Sequence, residues 1–184
     1  MAIASILWRC LDTPGHDACR LVRLDAGWAI EGTAVFHEAG APARLDYRVT
    51  CDLAWRTQRG QVEGWIGARS VKYTIIRTGE GEWTLDGRPV PDLGHCVDLD
   101  LGFTPATNLL PLRRLALAEG QAADAPAAWL DVSAGTLDLL FQRYERRAAA
   151  AYWYESPRSG YAALLEVASS GFILRYPDLW EAEL

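Results

Sequence analysis

Residues 44–53 read Arg44-Leu45-Asp46-Tyr47-Arg48-Val49-Thr50-Cys51-Asp52-Leu53. Leu45, Tyr47, Val49, Cys51 and Leu53 share one parity, and Arg44, Asp46, Arg48, Thr50 and Asp52 share the other. Successive side chains of a strand point to opposite faces, so this is a strand with one face in a core and the other in water. Looser alternation of the same period runs through Asp17–Asp25, Trp28–His37, Val71–Arg77, Tyr161–Val167 and Phe172–Tyr176. Turn chemistry separates these runs, at Ala26-Gly27, Ala39-Gly40, Gly79-Glu80-Gly81, Asp86-Gly87 and Ser170-Gly171. Asp86-Gly87, between Trp83–Leu85 and Arg88–Val90, is a two-residue hairpin signal. The pattern predicts an all-β, mainly antiparallel meander, closed or half-closed into a barrel.

Further along, two stretches are less regular. Leu137, Leu140, Phe141 and Tyr144 sit at helical spacing, but Leu137, Leu139 and Phe141 also alternate, as do Tyr152 and Tyr154. Strand–turn–strand is the preferred reading over 137–151, because a lone helix would interrupt the meander. Ala116–Ala128 is Ala-rich, contains Glu119-Gly120 and Pro126, and reads as a loop. A short helix is expected just after Phe103 or near Pro177–Trp180. No internal repeat or linker divides the chain, and a single domain over residues 1–184 is expected.

The 184 residues carry 24 acidic and 18 basic side chains, a formal charge of −6, which argues against nucleic acid and anionic membrane surfaces as partners. Half the residues are hydrophobic, which excludes an intrinsically disordered chain. No stretch reaches the roughly 20 apolar residues that span a bilayer, and no secretory signal is recognised. A cytoplasmic location is expected, with Cys10, Cys19, Cys51 and Cys96 reduced; Cys10 with Cys19 is the one candidate bridge. Eight tryptophans in so short a chain require a structural or functional home.

Motifs for a Ser nucleophile, a phosphate loop or a zinc-binding helix are missing. His37, His95 and Cys96 would make an incomplete metal site at best, and neither metal nor cofactor is expected. Asp98 and Asp100, two apart on a strand, place both carboxylates on one face. They suit either an acid–base pair or ion pairing with Arg113 and Arg114, and ion pairing is preferred. After them comes Phe103-Thr104-Pro105-Ala106-Thr107-Asn108-Leu109-Leu110-Pro111-Leu112-Arg113-Arg114-Leu115, a segment dense in local side-chain-to-backbone bonding, in which Pro111 is expected to hold Leu110 extended. It presents Arg113 and Arg114 to an anionic or sugar ligand, or it is a structural corner. Gln142, Tyr144 and Arg146 share a parity that Tyr152 and Tyr154 continue, either as a binding face or as the solvated outside of the sheet.

Asp98–Leu101 together with Phe103–Leu115 resembles the signature of a bacterial family, the putative glycolipid-binding proteins. The likeness continues in Tyr47–Trp55 with its Cys-Asp-x-x-Trp ending, in Trp83 with Asp86-Gly87, in Gln142-x-Tyr144-x-Arg146, and in Tyr152-x-Tyr154 and Tyr176-Pro177-x-x-Trp180. The resemblance implies a strongly curved antiparallel sheet, a half-barrel or open barrel with a few short helices, similar to periplasmic carriers that hold acyl chains on a concave face. The expectation is then a non-enzymatic binding protein for a glycolipid or similar amphiphile. Arg113, Arg114, Gln142, Tyr144, Arg146 and Tyr154 would contact the head group. Asp98 and Asp100 would hold the arginines, and Thr104, Thr107 and Asn108 would shape the loop. The alternative is a sugar- or lipid-directed enzyme using Asp98 and Asp100 as acid and base. A third reading, an interaction module, would use an exposed aromatic patch.

Overall fold

In the computed structural model, which describes residues 1–157 and 159–183, the alternating runs become β2 (Gly15–Leu24), β3 (Gly27–Glu38), β4 (Ala41–Cys51), β5 (Thr57–Ile66) and β6 (Arg69–Arg77), each paired antiparallel to the next. They follow β1 (Ala2–Cys10) and lead into β7 (Trp83–Leu85) and β8 (Arg88–Val90). The chain then makes β9 (Asp98–Leu101), a 3-10 turn (Pro105–Asn108) and one helix, α1 (Leu109–Leu115). Eight further strands complete the order: β10 (Ala122–Asp124), β11 (Ala127–Asp131), β12 (Thr136–Leu140), β13 (Arg143–Ala148), β14 (Ala151–Ser156), β15 (Tyr161–Val167), β16 (Ile173–Tyr176) and β17 (Trp180–Ala182). Among the described residues, fourteen strands form one open antiparallel sheet, β10-β13-β14-β15-β16-β17-β1-β2-β3-β4-β5-β6-β7-β8, with β10 and β8 at its unjoined edges. This is the open half-barrel.

Register follows from the alternation. Gly32 lies opposite Tyr47, Ala34 opposite Leu45 and Ile30 opposite Val49, so the apolar parity of β4 meets that of β3 on the inner face. On the outer face Glu31 lies between Arg20 and Arg48, with N···O distances of 2.8 and 3.5 Å. Exposed pairs of this kind contribute only about 0.2–1 kcal/mol each, so they help set register more than they hold the sheet. Trp8, fully buried, donates its indole N–H to the Ile173 carbonyl at 2.6 Å and ties β1 to β16. Trp83, also buried, donates to the Cys96 carbonyl at 3.2 Å.

The concave face is filled in large part by the chain itself. A second, three-stranded sheet, β12-β11-β9, lies against it, with β9 and β11 parallel, the exception to the antiparallel pattern. Leu99 fits where β5 has Gly60: a Cβ there would come within 2.3 Å of the Leu99 side chain. The Leu99 N–H donates to Thr57 Oγ1 at 3.1 Å, fixing β9 to β5. Leu99, Leu101, Leu109 and Leu110 are fully buried by this arrangement.

Three expectations change. Leu110 is helical rather than extended, because Pro111 falls in the first turn of α1, where its missing N–H costs no helical bond. The Ala116–Ala128 loop contains β10, a three-residue edge strand paired to β13 and too short to show a period. Leu53 is 59% exposed, since β4 ends at Cys51 and the chain turns at Asp52. All four cysteines are free, as expected, and the register puts Ile6, not Cys10, opposite Cys19. Residues 137–151 are strand–turn–strand, as expected, built as β12, β13 and the start of β14.

Gly64 offers a direct check on the β4–β5 pairing. Its φ is +157°, and an added Cβ would stand 2.0 Å from the Arg44 carbonyl oxygen. Backbone cannot yield as a side-chain tip can, so Gly64→Ala is expected to cost about 1–3 kcal/mol, read as a lower urea midpoint with unchanged slope.

Candidate functional site

The two carboxylates of β9 share a face, but their surroundings differ. Asp98 is buried and forked by Arg114 from the last turn of α1, with Nε to Oδ1 at 3.0 Å and Nη2 to Oδ2 at 2.6 Å. Asp100 has no hydrogen-bond or ion-pair partner among the described residues. It is half-buried, and burial pushes its carboxyl up to about 7, with the Asp98 charge adding to the effect.

Asp100 stands on the wall of a cavity of about 380 Å³. The insert after β9 supplies Thr104, Pro105 and Asn108; β11 and β12 supply Trp129 and Leu140; β14 and β16 supply Tyr154, Ser156 and Tyr176; Leu179 and Trp180 complete the rim. Tyr154 is the hub of the aromatic wall, with ring centroids 5.1 Å from Tyr144, 5.6 Å from Tyr176 and 6.2 Å from Tyr161. Burial pushes Tyr154 up to about 12 and raises Tyr176 as well, so both remain neutral phenols. The arrangement couples apolar ring surface to a few directional polar groups, as ligand pockets of about 300–1,000 Å³ do. A larger open depression of about 640 Å³ lies on the outer face, but its Arg20, Glu31 and Arg48 are already paired with one another.

The model of the family described as putative glycolipid-binding matches residues 5–182. The chain belongs to that family. Among solved structures it is similar to a DUF1089 family protein from Pseudomonas aeruginosa, 30% identical over 91% of each chain, with a TM-score of 0.80. No curated protein matches it.

Within this glycolipid-binding family member, the signature residues have identifiable structural duties. Thr104 caps the 3-10 turn, accepting from the Ala106 N–H at 3.0 Å, and its hydroxyl donates to buried Asp17. Thr107 accepts from the Leu101 N–H at 3.2 Å. Asn108 donates through Nδ2 to the Tyr144 hydroxyl at 2.7 Å, which in turn donates to Gln142 Oε1 at 3.0 Å. Arg113 donates to the carbonyls of Ser169 and Ser170, and its guanidinium lies 5.9 Å from the Trp55 ring. Trp55 is held at φ +64° by Asp52, whose carboxylate accepts from Ala54 and Arg56 N–H at 2.8 and 2.9 Å, and it stacks on Trp28 at 4.6 Å. That is the physical content of Cys-Asp-x-x-Trp. Arg146 donates to the Leu117 and Ala149 carbonyls at 2.8 and 3.0 Å.

Of the six residues expected to touch a head group, Tyr154 lines the cavity, as do Asp100, Thr104 and Asn108 from the supporting set. Gln142 and Tyr144 point into the interior behind it, and Arg114 is committed to Asp98. Arg113 and Arg146 instead border a separate cleft of about 320 Å³ with Tyr152. Sequence reasoning missed Ser156 and Trp129; Ser156 continues the Tyr152, Tyr154 parity and was legible from it. Among the described residues no three His, Cys, Asp or Glu side chains gather as a metal site, and no helix is long and apolar enough to cross a membrane.

Proposed function

We propose that the chain is a non-enzymatic binding protein whose cavity takes the polar, sugar-bearing head of a glycolipid or similar amphiphile. The observation that carries this reading is the cavity itself, walled by Tyr154, Tyr176, Trp129 and Trp180 and dotted with the polar groups of Asp100, Asn108 and Ser156. Its volume, about 380 Å³, is near the low end for small-molecule sites and suits a head group rather than a whole lipid. Because the second sheet and α1 occupy the concave face, an acyl tail leaves past Leu140 and Leu179 rather than lying along the large sheet. The acid–base alternative is weakened by Asp98, both of whose oxygens accept from Arg114 and leave it no proton to exchange with Asp100.

Protein prepared without detergent is expected to carry a stoichiometric amphiphile in native mass spectrometry, identified after organic extraction. Leu140→Trp, which fills the cavity, is expected to lower occupancy at least tenfold. Undiminished occupancy in that variant, or a ligand-free wild type that also gives no calorimetric signal with octyl glucoside, would overturn the reading.

A further inference from the structure

The charge lining the cavity is one-sided. Among the described residues that line it, Asp100 is the sole charged side chain, and no Lys, Arg or His faces it there. The cavity wall that Asp100 shares carries Thr104, which caps the 3-10 turn, Asn108 on that turn, Tyr154 on β14 and Tyr176 on β16, and Asp98 lies two residues away on its own strand. Arg114, the cation that reaches β9 beside it, is spent on Asp98 through a two-pronged contact. The rings of Tyr154 and Tyr176 share the cavity wall with Asp100.

A carboxylate withdrawn from water without a counter-charge is costly, and a ligand that supplies the counter-charge recovers that cost. Aromatic faces reinforce the same preference, because the ring quadrupole attracts a cation and not an anion. We infer that the head group taken by this cavity carries an ammonium group, as an amino sugar does, seated against Asp100 among the rings of Trp129, Tyr154, Tyr176 and Trp180. This rests on the cavity being the head-group site. It goes beyond that reading in naming the charge of the ligand and the residue that selects it.

The test is calorimetric titration at pH 7 with octyl glucoside and octyl glucosaminide, which differ by a hydroxyl against an ammonium. Wild-type protein is expected to bind the glucosaminide at least about tenfold more tightly, the worth of one charge-assisted hydrogen bond. Asp100→Asn, nearly isosteric, is expected to bring the two affinities within about twofold of each other, with a cooperative urea transition showing that the variant is folded. Equal affinities in the wild type would overturn the inference and leave the head-group reading standing. A preference that survives Asp100→Asn would overturn the assignment to Asp100. Binding of neither ligand would overturn both.

Discussion

Arg114→Ala is expected to lower the unfolding free energy by about 3–5 kcal/mol, because it leaves Asp98 ionised in the interior with no hydrogen-bonded cation and only the charge of Arg77 to balance it. The Asp98 side chain is 1% exposed and that of Arg114 19%, so solvent cannot take over the role of the guanidinium. For a chain of this length the loss corresponds to a fall in Tm of roughly 10 °C. The defect carries its own signature. Burial already raises the Asp98 carboxyl, with Arg114 opposing the rise; without Arg114 it climbs further, so the variant regains stability as pH falls and Asp98 takes up a proton. Adding Asp98→Asn to Arg114→Ala is expected to restore more than half of the loss at pH 7, since the amide carries no charge to bury. Urea unfolding of the three proteins at pH 5 and pH 7.5 decides it. A loss below 1 kcal/mol, equal at both pH values, would mean that Asp98 is hydrated and that the fork is ornamental.

The same pair shows where sequence stops being informative. That Asp98 and Asp100 share a face is readable from their spacing, as is the strand from Leu45 to Cys51, because one buried face leaves a period of two in the residues themselves. Which carboxylate is paired depends on the reach of Arg114 from α1, and nothing local fixes that. Gln142 and Tyr144 are a sharper case. Their polar parity is interior, while Phe141 beside them is 59% exposed. The inversion is tolerable because Asn108, brought from 36 residues away, satisfies the Tyr144 hydroxyl. Leu99 and Leu101 alternate like any strand, yet their parallel pairing with β11 and their seat over Gly60 are set by the tertiary arrangement alone. The arginines were legible as donors, but their acceptors, main-chain carbonyls at the ends of distant strands, were not.

Stability is expected to fall as pH rises from about 4 to 7, and Asp17 is one of two carboxyls responsible. Its side chain is fully buried and accepts from the Tyr47 hydroxyl at 2.9 and 3.2 Å and from Thr104, with no cationic partner among the described residues. Burial pushes its carboxyl from 3.8 up to about 7, against the opposing pull of those two donors, and Cys19 and Tyr47 beside it are raised too and stay neutral. Between the two values the folded chain holds a proton that the unfolded chain has released. The contribution of Asp17 is therefore complete below about pH 4, declines through the window, and is gone above about pH 7. The full span is about 4 kcal/mol, of which about 3 falls between pH 5 and pH 8. Asp17→Asn is expected to remove that contribution, about half of the wild-type slope, while a comparable slope persists from Asp100, whose carboxyl lies equally high. Urea unfolding across pH 5–8 measures both. A variant slope equal to that of the wild type would mean that Asp17 is ionised in the folded protein without penalty. The consequence reaches the cavity, because Thr104 both bonds Asp17 and stands in the cavity wall, where it begins the turn that carries Asn108. Charging Asp17 loads a desolvation cost on the turn that shapes the head-group site, so ligand binding and the protonation of Asp17 are expected to share one free-energy balance.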